Sequence, residues 1–538
     1  MKCNESALSF VPYSQSRASF YRKKGYWIGE TFIDFLKNCC NKYGDNIALI
    51  HQNRKLTYKQ LFTHAARYGS YLIGQGITED DFIVVQSPNR IEHFIVMFGI
   101  LYSGAKPVFC LDGLGEYELS NVISISQARC YIRTVNKDDQ EAAQKIADRL
   151  KQNNSSLKYI EIIPISEIDA FNLPESDLVP ARRVSPDTIA FLLLSGGTTG
   201  VPKLIPRTHD DYLYSVRESA KICDLNEKSK LLLVLPIAHN FPMSSPGFLG
   251  AFYAGSCVYL ADTASPDVCF PMIEKYKISQ VSLVPSLLML WLDSVFYDRF
   301  DLTSLRVIQV GGAKLLPEIA KQFVDKFNIV LQQVYGMAEG LVNYTRLDDV
   351  LETTITTQGK KISIDDEILI INEDGYPLGQ GETGQIITKG PYTINGYYNL
   401  PNVNKVSFTD DGYYKTGDVG YIDSNGNIVV TGRLKDIINK GGEKISPSEI
   451  ESLLIDHPSI KDVSVVGEPD KILGEKIKVY IITHQAEKLT LQELRKYLLN
   501  KHVAWQKLPD KLEIVKTFEY TLIGKVNKRA KAYPIPES

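Results

Sequence analysis

The hydrophobic pattern of the chain alternates between short apolar runs and longer segments in which apolar residues recur with helical spacing. Nearly continuous apolar runs between helical patterns are typical of parallel strands that are covered on both faces. The pattern predicts strands at residues 82–86, 189–194, 281–284, 305–310 and 329–334. It predicts helices at residues 91–102, 210–222, 287–296 and 317–327. The blocks 46–162 and 188–334 share this order of elements, which suggests two related α/β halves.

The pattern changes after about Gly336. Residues 354–363, 367–372 and 384–388 are predicted to be antiparallel strands, separated by turns such as Glu373-Asp374-Gly375. A second change lies at Gly432-Arg433-Leu434-Lys435-Asp436, and an α+β pattern of about 100 residues, a typical small domain, follows it. We therefore predict an α/β protein. Residues 1–434 form a large domain of two βαβ-type sheet subdomains and an antiparallel β subdomain, and residues 435–538 form a small α+β domain.

The composition of the chain argues against several classes of protein. The 538 residues include 60 basic and 63 acidic side chains, a balance that argues against a nucleic-acid-binding protein or a polybasic membrane anchor. From Arg433 onward there are 19 basic and 15 acidic residues, so the small domain is mildly basic. The eight cysteines form no CxxC pair, and none follows Cys269, which favours reduced thiols. The N-terminus lacks the apolar core of a signal peptide, and the most apolar helical stretch is too short to span a bilayer, so we expect a cytoplasmic protein.

A loop rich in glycine and threonine follows the predicted strand 189–194. It comprises Ser195, Gly196, Gly197, Thr198, Thr199, Gly200, Val201, Pro202 and Lys203. Glycines let backbone N–H groups approach a ligand, and the hydroxyls and the lysine add donors and positive charge, which suits a polyphosphate. The loop is not a Walker loop, in which the lysine follows the last glycine directly. Taken alone, the same residues could form an ordinary surface turn.

Four further stretches follow this loop along the chain: residues 333–339, 414–418, 432–445 and 524–528. Together the five stretches resemble the motifs of the adenylate-forming enzymes, which include acyl- and aryl-CoA synthetases, luciferases and the adenylation domains of peptide synthetases. The resemblance implies that the protein uses ATP and Mg²⁺ to join a carboxylate to the α-phosphorus, with release of pyrophosphate. It also implies that the small domain is a mobile lid.

The resemblance assigns the nucleotide-binding residues one by one. The implied ATP-binding set is Ser195, Gly196, Gly197, Thr198, Thr199, Gly200, Lys203, Gly311, Gly312, Ala313, Val334, Tyr335, Gly336, Asp418 and Arg433. Asp418 is expected to accept hydrogen bonds from the ribose hydroxyls, and Glu339 to hold the magnesium ion. Lys525 is the expected catalytic residue, because a cation there would offset the charge of the meeting anions. The alternatives are a turn role for Asp418 and a solvated tail lysine at Lys525.

The resemblance also implies a second conformation for thioester formation. Lys435 stands at the position of the hinge residue, about which the small domain swings after adenylation. Lys525 then leaves the site, and Gly441 and Gly442 line a tunnel for the incoming thiol. The alternative for the two glycines is a simple hairpin turn.

The segment 238–247 is the clearest indication of the acid. It resembles the 2,3-dihydroxybenzoate–AMP ligases of siderophore assembly, as do residues 199–212 and 332–349. By this resemblance Asn240 contacts the carboxylate or 2-hydroxyl, and Ser245 faces the 3-hydroxyl. The implied ring slot is lined by Phe241, Gly312, Ala313, Val334 and Val342. Salicylate-activating relatives tend to carry Cys in place of Ser245, so Ser245 favours the dihydroxy acid. Relatives usually carry Tyr in place of Phe241, and the loss of that hydroxyl weakens the choice against salicylate.

His239 lies within this segment and is placed with the catalytic residues. A Ser/His hydrolase is excluded because the chain has no GxSxG motif. Adenylation needs no general base, since a carboxylate is already ionised at neutral pH. We therefore expect a structural histidine that packs near the ligand.

No carrier-type Gly-Gly-x-Ser-Leu motif occurs in the chain, so we expect the acyl acceptor to be supplied in trans. A phosphopantetheinyl aryl carrier protein is favoured over coenzyme A by the resemblance, with no nucleic-acid or membrane partner. The alternatives within the superfamily are an aryl–CoA ligase and a salicylate–AMP ligase. A catalytically silent nucleotide-binding homologue is the alternative of a different class.

Overall fold

The protein is described by a computed structural model that covers residues 9–164, 177–195, 202–441, 443–470, 473–484 and 489–519. The helices in these ranges are α1 (Gln15–Lys23), α2 (Phe32–Tyr43), α3 (Tyr58–Gly74), α4 (Ile91–Tyr102), α5 (Glu116–Ser126), α6 (Gln140–Asn153), α7 (His209–Ile222), α8 (Asn240–Ser244), α9 (Gly247–Tyr253), α10 (Pro266–Tyr276), α11 (Pro285–Leu292), α12 (Pro317–Phe327), α13 (Leu351–Thr356), α14 (Pro401–Ser407), α15 (Pro447–Leu454) and α16 (Leu491–Asn500).

The strands in the same ranges are β1 (Ile47–His51), β2 (Arg54–Thr57), β3 (Phe82–Gln86), β4 (Lys106–Cys110), β5 (Cys130–Val135), β6 (Tyr159–Pro164), β7 (Ile189–Leu194), β8 (Leu204–Thr208), β9 (Lys230–Leu233), β10 (Cys257–Leu260), β11 (Gln280–Leu283), β12 (Val307–Gly311), β13 (Val330–Gly336), β14 (Val342–Tyr344), β15 (Lys360–Lys361), β16 (Glu367–Ile371), β17 (Gly384–Lys389), β18 (Tyr414–Ile422), β19 (Ile428–Arg433), β20 (Ile438–Lys440), β21 (Glu443–Ile445), β22 (Ile460–Asp470), β23 (Gly474–Thr483) and β24 (Lys511–Ile514).

Two large sheets form the body of the molecule. One has six strands in the order β6-β5-β3-β4-β7-β8, and the other has nine in the order β15-β14-β13-β12-β11-β9-β10-β1-β2. Their central strands are parallel, and antiparallel pairs occur only towards the edges. Every residue of α4 is buried. Residues 94–102 of this helix form a continuous apolar run, and a helix that is apolar on all sides can be stable only when other elements cover it.

The two sheets exchange strands between the sequence blocks 46–162 and 188–334. Strand β1, from the first block, pairs in parallel with β10 of the second, with Leu49 opposite Val258. Strand β7, from the second block, pairs with β4 of the first, with Val108 opposite Leu192. The two blocks are therefore related but not self-contained, because strand partners are chosen by long-range packing that a local pattern does not encode.

The predicted elements of the body agree with the structure within a few residues. The strands at 82–86 and 189–194 and the helices at 91–102 and 317–327 have the predicted bounds. The helix predicted at 287–296 begins earlier, at Pro285. It ends at Leu292, with Asp293 as its C-cap. Proline is favoured in the first turn of a helix, since its missing N–H has no helical partner there.

A four-stranded antiparallel sheet, β16-β17-β18-β19, follows the large sheets. It confirms the change to antiparallel structure that the sequence predicts. The strand predicted at 354–363 is wrong. Residues 351–356 form helix α13 instead, and only Lys360–Lys361 are a strand. Residues 353–357 are all β-branched and by propensity favour a strand, but the packing of Ile355 in the core overrides this local preference.

The small C-terminal unit contains a five-stranded sheet in the order β21-β20-β23-β22, with β24 pairing in parallel with β23. Helices α15 and α16 cover it with the buried side chains Ile450, Leu454, Leu494 and Leu498. This α+β unit confirms the predicted fold class, and the boundary at 434/435 stays a prediction. The seven cysteines in the described ranges are free thiols. No helix in the described part of the chain combines the length and apolar character that crossing a bilayer requires.

Candidate active site

The ends of the predicted phosphate-binding loop are held by a hairpin. Strands β7 and β8 pair with Leu194 opposite Leu204. Just beyond them the Ser195 N–H donates to the Lys203 carbonyl at 3.0 Å, and the Lys203 N–H donates to Ser195 Oγ at 3.3 Å. The loop between these anchors contains Gly196, Gly197, Thr198, Thr199 and Gly200, which lie outside the described residues.

Lys203 and Glu339 both contact Tyr397. The Lys203 ammonium lies 4.7 Å from the centre of the Tyr397 ring, and the Tyr397 hydroxyl donates to Glu339 Oε1 at 2.9 Å. Burial and then the charge of Glu339 raise the pKa of Tyr397, so its phenol stays protonated and remains a donor. The hydroxyl of Tyr414 lies 3.0 Å from that of Tyr397. A cation and a carboxylate are thus arranged around one buried phenol.

Glu339 fits the requirements of a magnesium site. Only 8 % of the residue is exposed, and Tyr397 fixes one of its oxygens. No group of three or more candidate metal ligands exists among the described residues. Mg²⁺ beside a nucleotide is usually held by one or two carboxylates together with phosphate oxygens and water, rather than by a cage of protein ligands. A single oriented carboxylate is consistent with that mode of binding.

Asp418 lies between Tyr335 and Arg433. Strands β18 and β19 place Asp418 directly opposite Arg433. The Tyr335 hydroxyl donates to Asp418 Oδ2 at 2.8 Å, and Arg433 Nε lies 3.1 Å from Oδ1. Burial lowers the pKa of Arg433, but the negative charges of Asp418, Asp436 and Glu339 together raise it above its ordinary value, so the guanidinium stays charged. Each carboxylate oxygen can accept more than one hydrogen bond, so Asp418 retains capacity for ligand hydroxyls.

The predicted acid-binding segment forms the loop after β9 and the short helix α8. His239 is the N-cap of this helix, and its Nδ1 accepts a hydrogen bond from the Phe241 N–H at 3.3 Å. Asn240, Phe241 and Ser245 are all buried. The contact of His239 with the helix backbone agrees with the expected structural role.

Phe241 packs against the end of strand β12. A methyl group at Gly311 would lie 2.7 Å from the Val334 carbonyl oxygen and 3.1 Å from Phe241 Cζ. Only glycine therefore lets the ring approach the backbone this closely. Val334 and Val342 belong to the same buried apolar cluster as Phe241, so this cluster contains three of the five predicted slot residues.

The remaining predicted residues are less enclosed. Gly312 has φ +83°, a conformation that favours glycine. Ala313 and Gly336 are exposed, so in this structure they border the site rather than line its interior.

Lys435 is exposed in a 3-10 turn at 434–436, between β19 and β20. Gly441 has φ +61° in the turn between β20 and β21, which matches the hairpin alternative. Gly442 and Lys525 lie outside the described residues.

Three buried residues near the site have no role in the sequence-based assignment: Arg207, Tyr212 and Tyr397. Arg207 is 2 % exposed and donates to the Ala338 carbonyl at 2.8 Å and the Tyr392 carbonyl at 3.0 Å. It thereby anchors the residue that precedes Glu339. The only sequence signal was that Arg207 and Tyr212 fall within the resembling stretch 199–212, and a resemblance does not give contacts.

Comparisons with known proteins agree with this arrangement. The AMP-binding enzyme family model matches residues 36–398, and the model of the AMP-binding enzyme C-terminal domain matches residues 449–525. The 2,3-dihydroxybenzoate-AMP ligase of Bacillus subtilis is 43% identical over 533 residues, covering 98% of each chain. The salicyl-AMP ligase / salicyl-S-ArCP synthetase of Mycobacterium tuberculosis is 38% identical over 530 residues, covering 97% of this chain and 94% of the relative.

Among solved structures, the apo structure of Mycobacterium smegmatis MbtA superposes with a TM-score of 0.74 at 35% identity, covering 98% of this chain and 99% of that one. Both family models, two curated relatives and a solved structure therefore agree along nearly the whole length. The chain belongs to the AMP-binding enzyme family.

Proposed function

We propose that this protein activates 2,3-dihydroxybenzoate with ATP, forming the aryl adenylate and pyrophosphate. It then transfers the aryl group to the phosphopantetheine thiol of an aryl carrier protein supplied in trans, in catechol siderophore biosynthesis. The carboxylate oxygen forms a bond to the α-phosphorus as the bond to pyrophosphate breaks. In the second step the thiol sulfur replaces AMP on the carbonyl carbon.

The observation that carries this proposal is the placement of Val334 and Tyr335. They are consecutive in strand β13, so their side chains point to opposite faces. Val334 packs in the apolar cluster with Phe241, and Tyr335 bonds Asp418. This arrangement supports an acid slot on the Val334 face and a ribose-binding corner on the Tyr335 face of the same strand, so that acid and nucleotide would meet at its end.

The charged residues suit the joining of two anions. Lys203 and the loop before it would contact phosphates, and Lys525 would bridge the carboxylate and the α-phosphate. Glu339 would hold Mg²⁺, which when bound supplies positive charge to the phosphate oxygens. A general base is not needed, because the acid is already ionised.

Ser245 favours the dihydroxy acid over salicylate. It is a buried polar residue, and the other residues expected around the ring, Phe241, Val334 and Val342, are apolar. A site built to bond a hydroxyl discriminates against an analogue that lacks it, since a buried polar group is then left unpaired. The Bacillus subtilis relative, at 43% identity, is named for the dihydroxy acid, which supports the same choice.

For the second step, a rotation about Lys435 would remove Lys525 and bring Gly441 and Gly442 to the thiol path. The mild excess of basic residues in the small domain is compatible with an acidic carrier protein. Coenzyme A is the alternative acceptor.

Exchange of labelled pyrophosphate into ATP, measured across a panel of benzoates, tests the first step. The proposal expects exchange that depends on the acid and is fastest with 2,3-dihydroxybenzoate. Faster exchange with salicylate would instead assign a salicylate ligase, and no exchange with any aryl acid would indicate a silent homologue. Thioester formation with purified carrier protein against coenzyme A then identifies the acceptor.

A further inference from the structure

Tyr212 is a buried residue at the start of helix α7. The helix begins after Thr208, whose hydroxyl and the Asp211 carboxylate form a reciprocal capping box. This start places Tyr212 in the first turn, with its ring fully buried. The Tyr212 hydroxyl donates to Asn240 Oδ1 at 2.7 Å. The first turn of α7 therefore reaches the residue expected to contact the acid.

The ring of Tyr212 is held from two sides. The Arg207 guanidinium lies 4.6 Å from the ring centre, in cation–π geometry. On another side the Phe191 ring packs edge to face, with 4.8 Å between ring centres. Arg207 is itself held by Asp211, through a hydrogen bond of 2.9 Å from its Nε. With the ring and its neighbours held in this way, the hydroxyl keeps one position.

This contact determines which end of the Asn240 amide is available. The oxygen accepts from Tyr212, and the amide nitrogen has no hydrogen-bond partner among the described residues. An amide nitrogen offers two donors, whereas a carboxylate and a phenolic oxygen are acceptors. Asn240 is 8 % exposed, so its amide borders a confined space.

We propose that Tyr212 is a positioning residue, which orients the Asn240 amide so that its nitrogen faces the carboxylate edge of the aryl acid. This inference rests on the proposed function, since it concerns the acid of that reaction. Tyr212 touches neither substrate and acts only through Asn240. It thereby selects for acids that present oxygen acceptors at this edge.

Replacement of Tyr212 by Phe removes the hydroxyl and keeps the ring. In acid-dependent pyrophosphate exchange, we expect the KM for 2,3-dihydroxybenzoate to rise about tenfold, the effect of one hydrogen bond. We expect kcat and the KM for ATP to stay within about twofold, because the nucleotide contacts are untouched. Tyr214→Phe is the matched control: it lies on the same helix, and its buried hydroxyl donates to Ser363 Oγ at 2.7 Å.

A double-mutant cycle separates positioning from general destabilisation. If Tyr212 acts through Asn240, Tyr212→Phe has no further effect on the KM for the acid in an Asn240→Ala background. Multiplicative losses in the double variant would overturn the inference, as would an unchanged KM in Tyr212→Phe alone.

A second variant covers the case in which Tyr212→Phe does not fold. Asn240→Asp keeps the shape and the acceptor for Tyr212 but has no N–H donor, so it should raise the KM for the acid at least as much as Asn240→Ala. A wild-type KM in Asn240→Asp would contradict the proposed orientation. The wild-type enzyme assayed in parallel keeps the two proposals apart, because absence of exchange with every aryl acid contradicts the proposed function itself.

Discussion

The hydroxyl of Tyr335 donates a hydrogen bond of 2.8 Å to the carboxylate of Asp418, joining residues 83 positions apart in the chain. Tyr335 belongs to the nine-stranded sheet and Asp418 to the four-stranded antiparallel sheet. Burial, and then the charge of Asp418, raises the pKa of Tyr335. The phenol therefore stays protonated, and this donor orients the carboxylate at the junction of the two sheets.

Tyr335→Phe should weaken nucleotide binding. Without the phenol, Asp418 loses the donor that fixes Oδ2, and we expect the KM for ATP to rise about five- to tenfold. The KM for the acid should change little, because Val334, the residue of β13 in the proposed acid slot, points to the opposite face of the strand. Pyrophosphate exchange at varied ATP measures this effect. Tyr421→Phe, on the same strand as Asp418, is the control, and an equal rise in both variants would argue against the assignment.

Ser245→Cys should shift the preference towards salicylate. The thiol is a weaker hydrogen-bonding group than the hydroxyl, so the bonded 3-hydroxyl loses its advantage. The measured quantity is the ratio of kcat/KM for the dihydroxy acid to that for salicylate, and we expect it to fall by about tenfold or more. Ser256→Cys is the control, because Ser256 is equally buried and bonds the Asn226 carbonyl elsewhere. An unchanged ratio would mean that Ser245 does not face the ring.

Lys525→Ala should separate the two half-reactions. We expect adenylate formation to fall by about a thousandfold or more, the scale seen when a charge-stabilising group is removed. Thioester formation from supplied aryl adenylate should remain near the wild-type rate. Lys528→Ala, a neighbouring basic residue, serves as the control. Equal loss of both steps in Lys525→Ala would refute the assigned role.

Glu161 makes stability depend on pH. Burial raises its pKa to about 7, while hydrogen bonds from Tyr68 and Tyr71 oppose the shift. A carboxyl group whose pKa is higher in the folded state is stabilised by protonation. Its contribution is thus full below the unfolded pKa of about 4.3 and is lost as pH rises towards 7.

Glu161→Gln keeps an acceptor for the Tyr68 hydroxyl, which bonds Glu161 Oε2 at 2.7 Å. Glutamine does not ionise, so the variant avoids the cost of a buried charge at pH 8. The change that the substitution makes in the free energy of unfolding should therefore be up to about 3 kcal/mol more favourable at pH 8 than at pH 4.5. Urea denaturation followed at both pH values tests this. Glu141→Gln, at an exposed position, should show no such difference. The same midpoint shift at both pH values would contradict the assignment.

The local hydrophobic pattern was sufficient to predict an element when the apolar residues of that element alone showed which of its faces are buried. Helix α4 is an example, because its residues 94–102 form an unbroken apolar run that must be buried on all sides. Pattern failed at 354–363, where β-branched residues suggested a strand and packing produced helix α13. It also failed to pair β1 with β10, since the choice among similar apolar strands depends on contacts about 200 residues apart.

For the site, the sequence alone determined the family and the chemistry. The spacing and order of the five motifs restrict the residues that can surround a nucleotide and an acid, because backbone approach and charge require particular residue types. The tertiary structure decided how those residues are oriented. Three hydrogen bonds join residues that are 28 to 83 positions apart in the chain: Tyr397 to Glu339, Tyr335 to Asp418 and Tyr212 to Asn240. A hydrogen bond depends on angles and distances of a few tenths of an ångström, which only the packed fold sets.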